Sequence, residues 1–167
     1  GADRDAVLRG MATFAGAGRR MELRGVSHGI TVVDDYAHHP TEIRASLRAI
    51  ADAYEPDRLW VVFQPHQHSR TRFFLSEFAL SFGKADVVLL PDIYFVRDSE
   101  TMRAEITAGC LAERIAAEGG RAKYLGDFES ILEYLCGEVN SGDVVVTMGA
   151  GDVWKLADEF VYRLGRD

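Results

Sequence analysis

Four of the five histidines in the chain fall in two short segments that also carry acids or arginines. The first reads Asp34-Asp35-Tyr36-Ala37-His38-His39-Pro40-Thr41-Glu42, directly after the apolar run Ile30-Thr31-Val32-Val33. The second reads Gln64-Pro65-His66-Gln67-His68-Ser69-Arg70-Thr71-Arg72, directly after Leu59-Trp60-Val61-Val62-Phe63. Imidazole can hydrogen-bond or position an amine near neutral pH. Arginine offers a planar fork to a carboxylate or phosphate. Histidine and aspartate could also hold a metal, but adjacent His-His and His-x-His pairs have no standard metal spacing, and Arg70 would repel a cation. The residue types therefore favour a site for an anion or a zwitterion. The plainer reading is that His38 and His39 brace the start of a helix while His66 and His68 are ordinary polar loop residues.

Such a site needs elements that bring the two segments together. Helical spacing covers residues 5–14, broken by the glycines at 16–18. Residues 21–26 and 30–34 read as two short strands joined by a turn at Ser27-His28-Gly29. Residues 41–54 form an amphipathic helix with Ile43, Leu47, Ile50 and Ala51 on one face, opened by Pro40 in a position suited to a first turn. Buried strands follow at 58–63, 86–90 and 143–148, with a shorter one at 122–125. Helices are predicted at 71–82, 104–118, 128–139 and 153–164. Strand and helix alternate from residue 30 onward. This predicts an α/β, three-layer Rossmann-like domain whose sheet is mostly parallel, with helices on both faces and an antiparallel edge from the opening strand pair. In an open sheet of this type ligands bind at the carboxyl ends of the strands, where both histidine segments lie.

Bulk properties narrow the function classes. With 167 residues and 47% hydrophobic content the chain can bury a core as a single domain. A formal net charge of −7 and the lack of any stretch dense in lysine or arginine argue against nucleic acid or an anionic membrane as partner. No apolar run is long enough to span a bilayer, and no signal peptide is recognised at the start. Cys110 and Cys136 each fall in a predicted helix and read as reduced, buried residues of a cytoplasmic protein. There is no G-x-x-x-x-G-K-[ST] segment, so a P-loop is missing from these residues. Gly149-Ala150-Gly151-Asp152 follows a strand and opens a helix, a geometry that can hold an anion. It lacks the third glycine of a dinucleotide fingerprint, and a tight turn that simply needs glycine is an equal alternative.

Four blocks in order carry a family resemblance. Residues 34–42 resemble the signature of the Mur ligases, on the branch that joins L-alanine to UDP-N-acetylmuramate. Arg19-Arg20-Met21-Glu22 resembles that family's Arg-Arg-Phe-Glu. Phe63-Gln64-Pro65-His66 with Ser69-Arg70-Thr71-Arg72 resembles its second histidine-arginine loop, and Met148-Gly149-Ala150-Gly151-Asp152 resembles its final turn. The resemblance runs from about residue 5 to the end and covers only the third of the family's three domains. The domains for the UDP-sugar and for ATP hydrolysis are expected outside these residues.

The resemblance implies an ATP-dependent, amide-bond-forming ligase of peptidoglycan precursor synthesis that works through an acyl phosphate. Its ligands would be ATP, Mg2+, L-alanine and UDP-N-acetylmuramate, with ATP and Mg2+ bound mainly by the central domain; the isolated domain is expected to be inactive. By resemblance, Arg20 faces the nucleotide phosphates and Asp35 its ribose, while Tyr36 lies near the same ligand or the alanine pocket. His38, His39, His66 and Arg70 line the L-alanine site, with Arg70 anchoring the carboxylate. Asp34 is either part of the site or a strand-end turn former, and Arg72 either part of it or a helix starter. Two departures stand out. Where the family usually has His-Arg-Tyr, this chain has His66-Gln67-His68, so a cation is lost at Gln67; either Arg70 and His68 compensate or amino-acid binding differs. Residues 92–97 differ from the family's glycine-containing stretch, and Arg97 is either a supplied charge or a solvated loop residue. The alternatives are a relative acting on another amino acid and a non-catalytic binding or scaffold module.

Overall fold

A computed structural model describes residues 1, 3–13, 17–96 and 98–166. Arg97, Phe14 and Gly16 therefore lie outside the described residues. The elements in chain order are α1 (Arg4–Thr13), β1 (Glu22–Ser27), β2 (Ile30–Asp35), α2 (Pro40–Tyr54), β3 (Leu59–Phe63), α3 (His68–Phe73), α4 (Leu75–Ala79), β4 (Val87–Pro91), α5 (Glu100–Glu105), α6 (Ala108–Ala117), β5 (Ala122–Gly126), α7 (Phe128–Glu138), β6 (Val144–Met148) and α8 (Trp154–Leu164). The six strands form one sheet in the order β1-β2-β6-β3-β4-β5. β1 runs antiparallel to β2, and every other neighbouring pair is parallel. This is the expected architecture, antiparallel edge included.

Alternation along the strands divides the core in two. Val61, Phe63, Val88 and Leu90 face one side and pack with Ile43, Leu47 and Ile50 of α2, Phe78 of α4, and Leu111 and Ile115 of α6. Trp60, Val62, Val87 and Leu89 face the other side and pack with Leu132 and Leu135 of α7 and Leu156 and Phe160 of α8. Because β2, β3 and β6 are covered on both faces, they read as nearly unbroken apolar runs. No described helix is long and apolar enough to cross a membrane.

Two predicted helices differ. The one expected at 71–82 starts earlier, at His68, and is split at Phe74 into α3 and α4. Phe74 leaves helical geometry (φ −102°, ψ 19°) while its ring packs against His39, Phe73 and Phe78. The helix expected at 104–118 is likewise two, because Thr107 accepts a hydrogen bond from the amide of Cys110 and caps a fresh start. Neither cysteine forms a disulfide, but Cys136 is exposed and Cys110 only half-buried, so they are not the buried pair expected.

The feature of the fold that matters most for function is a shared level. Met148 at the end of β6 pairs with Asp35 at the end of β2 and with Phe63 at the end of β3. Three turns, after β2, β3 and β6, therefore leave the sheet side by side, with the β6 turn in the middle.

Candidate ligand cleft at the carboxyl edge of the sheet

Between those turns lies a cleft of about 360 Å³ lined by Tyr36, His38, His66, Gln67, Arg70, Val96 and Ala150. The size suits a small-molecule site. Among these seven residues arginine is the sole formally charged type and none is a carboxylate. The two histidine segments and a guanidinium thus share one rim, as the sequence required. A recess of about 320 Å³ at the amino ends of β4 and β5, lined by Phe82, Gly83, Glu118, Gly119 and Arg121 among others, has no such convergence of histidines.

The first turn is held by its own side chains. Asp35, expected to face a nucleotide ribose, is 2% exposed. Its Oδ1 accepts hydrogen bonds from the Ala37 amide (2.7 Å) and the Ser46 hydroxyl (3.2 Å), and its Oδ2 from the Met21 amide (2.8 Å). Both oxygens are spent on the scaffold. Asp34 is fully buried; it accepts from Thr147 Oγ1 at 2.6 Å and from Arg19 Nε at 2.8 Å. His39 caps α2, its Nδ1 accepting from the Thr41 amide at 3.3 Å, while Glu42 accepts from the His39 amide in return. Its ring packs on Phe74 and is not among the cleft-lining residues. Burial pushes the Glu42 carboxyl up, but the amides of His38 and His39 and the nearby His38 and Arg20 outweigh it, so its pKa lies below the ordinary value. His38 does line the cleft. Its Nδ1 lies 3.0 Å from the Tyr36 carbonyl and 3.4 Å from Glu42 Oε2, two acceptors. Nδ1 is therefore the nitrogen placed to donate, and the tautomer that carries its proton there leaves Nε2 as an acceptor.

Arg19, the first arginine of the Arg-Arg motif, is an interlock. Besides Asp34 it donates to the carbonyl of Gly149 at 2.7 Å and of Gly151 at 3.1 Å, tying the entrance of β1 to the turn after β6. Arg19 and Met21 both adopt positive φ (56° and 45°), uncommon for non-glycine residues and held here by these bonds. Arg20 between them is exposed, and its guanidinium carbon stands 5.6 Å from the Tyr36 ring centroid; that of Arg19 stands 5.1 Å away. Arg20 makes no ion pair among the described residues.

The glycines of the last turn serve close approach. At Gly149 (φ 144°) a Cβ would come within 2.6 Å of the Gln64 carbonyl oxygen, and at Gly151 within 2.3 Å of Gln64 Oε1 and 2.9 Å of the Tyr94 ring. Gln64 also accepts from the Val153 amide and donates to Asp152. Of the two readings left open for this turn, tight packing is the one the contacts explain.

The second turn is held from elsewhere. His66 stacks on Tyr94 with centroids 5.5 Å apart and planes 14° apart. The Gln67 amide donates to the Tyr94 carbonyl at 3.2 Å and its side chain to the Val96 carbonyl at 3.4 Å. Gln67 itself sits at φ 69°. His68, weighed as a compensating cation, turns away. It is 6% exposed and lines a separate 150 Å³ recess with Asp92, Arg103 and Tyr124. Burial lowers its pKa below the ordinary 6.5, which nearby Asp98 only partly opposes. It is therefore a neutral core residue. Arg72 pairs with Glu105 at 3.3 Å on the surface. Arg70, in contrast, lines the cleft with no ion pair or side-chain hydrogen bond among the described residues. Gln67, marked in the sequence as a lost cation, lines the cleft, whereas Val96 beside it and Tyr94 under His66 were not singled out in the sequence as site residues; their aromatic and β-branched types were the available signal.

A family profile described as "Mur ligase, glutamate ligase domain" matches residues 19–151. The chain belongs to the Mur ligase family. It is 46% identical over 155 residues to the UDP-N-acetylmuramate–L-alanine ligase of Acetivibrio thermocellus, an alignment covering 93% of this chain and 32% of that protein. Among solved structures it superposes on the UDP-N-acetylmuramate-alanine ligase of Thermotoga maritima with a TM-score of 0.78 at 25% identity, covering 99% of this chain and 34% of that one. It superposes on a murein peptide ligase of Psychrobacter arcticus with a TM-score of 0.75 at 26% identity, covering 95% and 32%. The chain thus spans about a third of the length of the Mur ligases it matches.

Proposed function

We propose that this chain is the C-terminal domain of an ATP-dependent UDP-N-acetylmuramate–L-alanine ligase and that its rim cleft holds the incoming amino acid. The observation that carries this reading is Arg70: a guanidinium with no ion pair or side-chain hydrogen bond among the described residues, lining a cleft of ligand size with two imidazoles and no carboxylate. A zwitterion matches that inventory. Its carboxylate meets the arginine fork, and its amine meets the imidazoles. The identity to alanine-adding relatives supports L-alanine as the amino acid.

In the reaction so assigned, ATP converts the lactyl carboxylate of UDP-N-acetylmuramate to an acyl phosphate. The amine nitrogen bonds to the acyl carbon, the carbon–oxygen bond to phosphate breaks, and inorganic phosphate leaves. Arg70 fixes the amino acid by its carboxylate so that the amine is aimed. Nε2 of His38 is the acceptor available for the amine proton, with His66 beside it. Arg20, exposed at the mouth and reaching back to Tyr36, is the residue placed to meet nucleotide phosphates. Asp35 and His39 contribute by fixing the turn rather than by contact. The chain spans about a third of its relatives' length, and we assign Mg2+ and most ATP contacts to the rest of the polypeptide. The UDP-sugar and central domains are the partners over which this domain closes, excluding water from the acyl phosphate. The 167 residues alone bind ATP negligibly and do not turn over, and the ligase acts in the cytoplasm.

The test is Arg70→Ala in the full-length ligase. Losing a charge-assisted contact of about 1.5–3 kcal/mol raises the KM for L-alanine about tenfold or more, with the KM for ATP within about twofold. An unchanged alanine KM with a raised ATP KM would reverse the assignment.

A further inference from the structure

We infer that Asp98 is a positioning residue for amino-acid binding: its carboxylate caps the start of α3 and so fixes the direction of Arg70. This rests on the reading of the cleft given above. Asp98 follows the 92–96 segment that walls the cleft, and its side chain is only 4% exposed. Its Oδ2 accepts from the backbone amides of both His68 and Ser69, the latter at 3.2 Å. Those are two of the amides that a helix start leaves without internal partners. No described residue nearer in the chain is seen to do this: Gln67, at the cap position, makes no side-chain capping bond and sits at positive φ. Burial pushes the Asp98 carboxyl up, but the Ser69 hydroxyl and the two amides outweigh it, leaving its pKa below the ordinary value, so the capping oxygen is anionic at neutral pH.

The wall and the helix start are joined at three further points. Tyr94 donates its amide to Pro65 and accepts from Gln67, and the Gln67 side chain reaches Val96. Asp98 is the terminal link: it holds the amide of Ser69, the residue immediately before Arg70. Arg70 has no side-chain hydrogen bond or ion pair among the described residues, so its placement depends on the helix that carries it. Removing the cap frees the first turn of α3 and lets the guanidinium wander; nothing at the turn after β2 is touched.

In the full-length ligase, Asp98→Ala is expected to raise the KM for L-alanine about tenfold with the KM for ATP within about twofold. Asp98→Asn, which keeps an oxygen to accept from both amides, is expected to restore most of it and to guard against a folding defect. In an Arg70→Ala background, Asp98→Ala is expected to add less than about twofold, because the two changes act through one contact. The inference is overturned if Asp98→Ala leaves the alanine KM unchanged, if Asn is no better than Ala, or if the two effects multiply. If Arg70→Ala alone has no effect on the alanine KM, the cleft reading fails, and a surviving Asp98 effect would show that the cap acts on something other than Arg70.

Discussion

The turns after β2 and β3 meet at one cleft but are built in opposite ways. The β2 turn carries its own scaffold: Asp35 binds Ala37, His39 caps α2, and Glu42 closes the box, all within eight residues. Its cation, Arg19, is locked by Asp34 and two carbonyls. The β3 turn borrows its scaffold from residues about 30 positions later, and its cation, Arg70, is left unbonded among the described residues. The difference shows where each turn spends its polar groups. The first uses them to define a shape; the second leaves one, the Arg70 guanidinium, at the cleft without a bond among the described residues.

The sharpest way to break this contrast is to exchange stability for binding at the two arginines. Arg19→Ala strands the fully buried Asp34 carboxylate and is expected to cost about 3 kcal/mol; Arg19 is itself partly exposed, which keeps the cost at the low end of the range for buried pairs. Arg19→Lys keeps the charge without the fork and should recover part of the loss. Urea unfolding of the 167-residue chain measures both. Arg70→Ala in the same assay is expected to stay within about 0.5 kcal/mol of the parent. Equal losses at the two positions would mean that Arg70 is structural and that the contrast is mistaken.

A smaller effect sharpens the histidines. His39→Ala removes a cap and should cost about 1 kcal/mol, while His39→Ser, a better capping type, should restore it. Neither should move the alanine KM by more than about twofold in the full-length ligase. His38→Ala should do the reverse, raising the alanine KM or lowering kcat with little change in stability. If His39→Ser abolished activity, His39 would be in the site after all.

The smallest expected effect concerns pH. His68 is surrounded by Asp98, Arg103, Asp92 and Glu100, and burial holds its pKa below 6.5. The folded state therefore disfavours its protonation relative to the unfolded chain. The associated stability is complete above pH 6.5 and declines as the pH falls through that value toward the folded-state pKa. His68→Gln should flatten this part of the stability curve; a parent curve flat between pH 7 and 5 would contradict the burial argument.

Legibility in the sequence followed the same division. Alternating strands and helices, the antiparallel edge and the placement of both histidine segments at strand ends were all readable, because hydrophobic period and strand length are local signals. Pro40 and Glu42 announced the start of α2. Of the residues expected in the site, the fold brings His38, His66 and Arg70 to one cleft. Asp35 and His39 are expected by resemblance to contact the ligand, yet both Asp35 oxygens and Nδ1 of His39 accept from amides and a hydroxyl nearby. The early start of α3 was not readable, because its cap, Asp98, lies 30 residues away. The roles of Tyr94 and Val96 were hidden for the same reason: they act through the bridge between His66 and Tyr94, a tertiary pairing with no sequence period.

The most direct measurement is a crystal structure of the full-length polypeptide with L-alanine and a non-hydrolysable ATP analogue. The expected result is the alanine carboxylate at about 2.7–2.9 Å from the Arg70 guanidinium, with the amine facing His38 and His66. Alanine bound outside the cleft, or Arg70 turned onto the nucleotide phosphates, would contradict it.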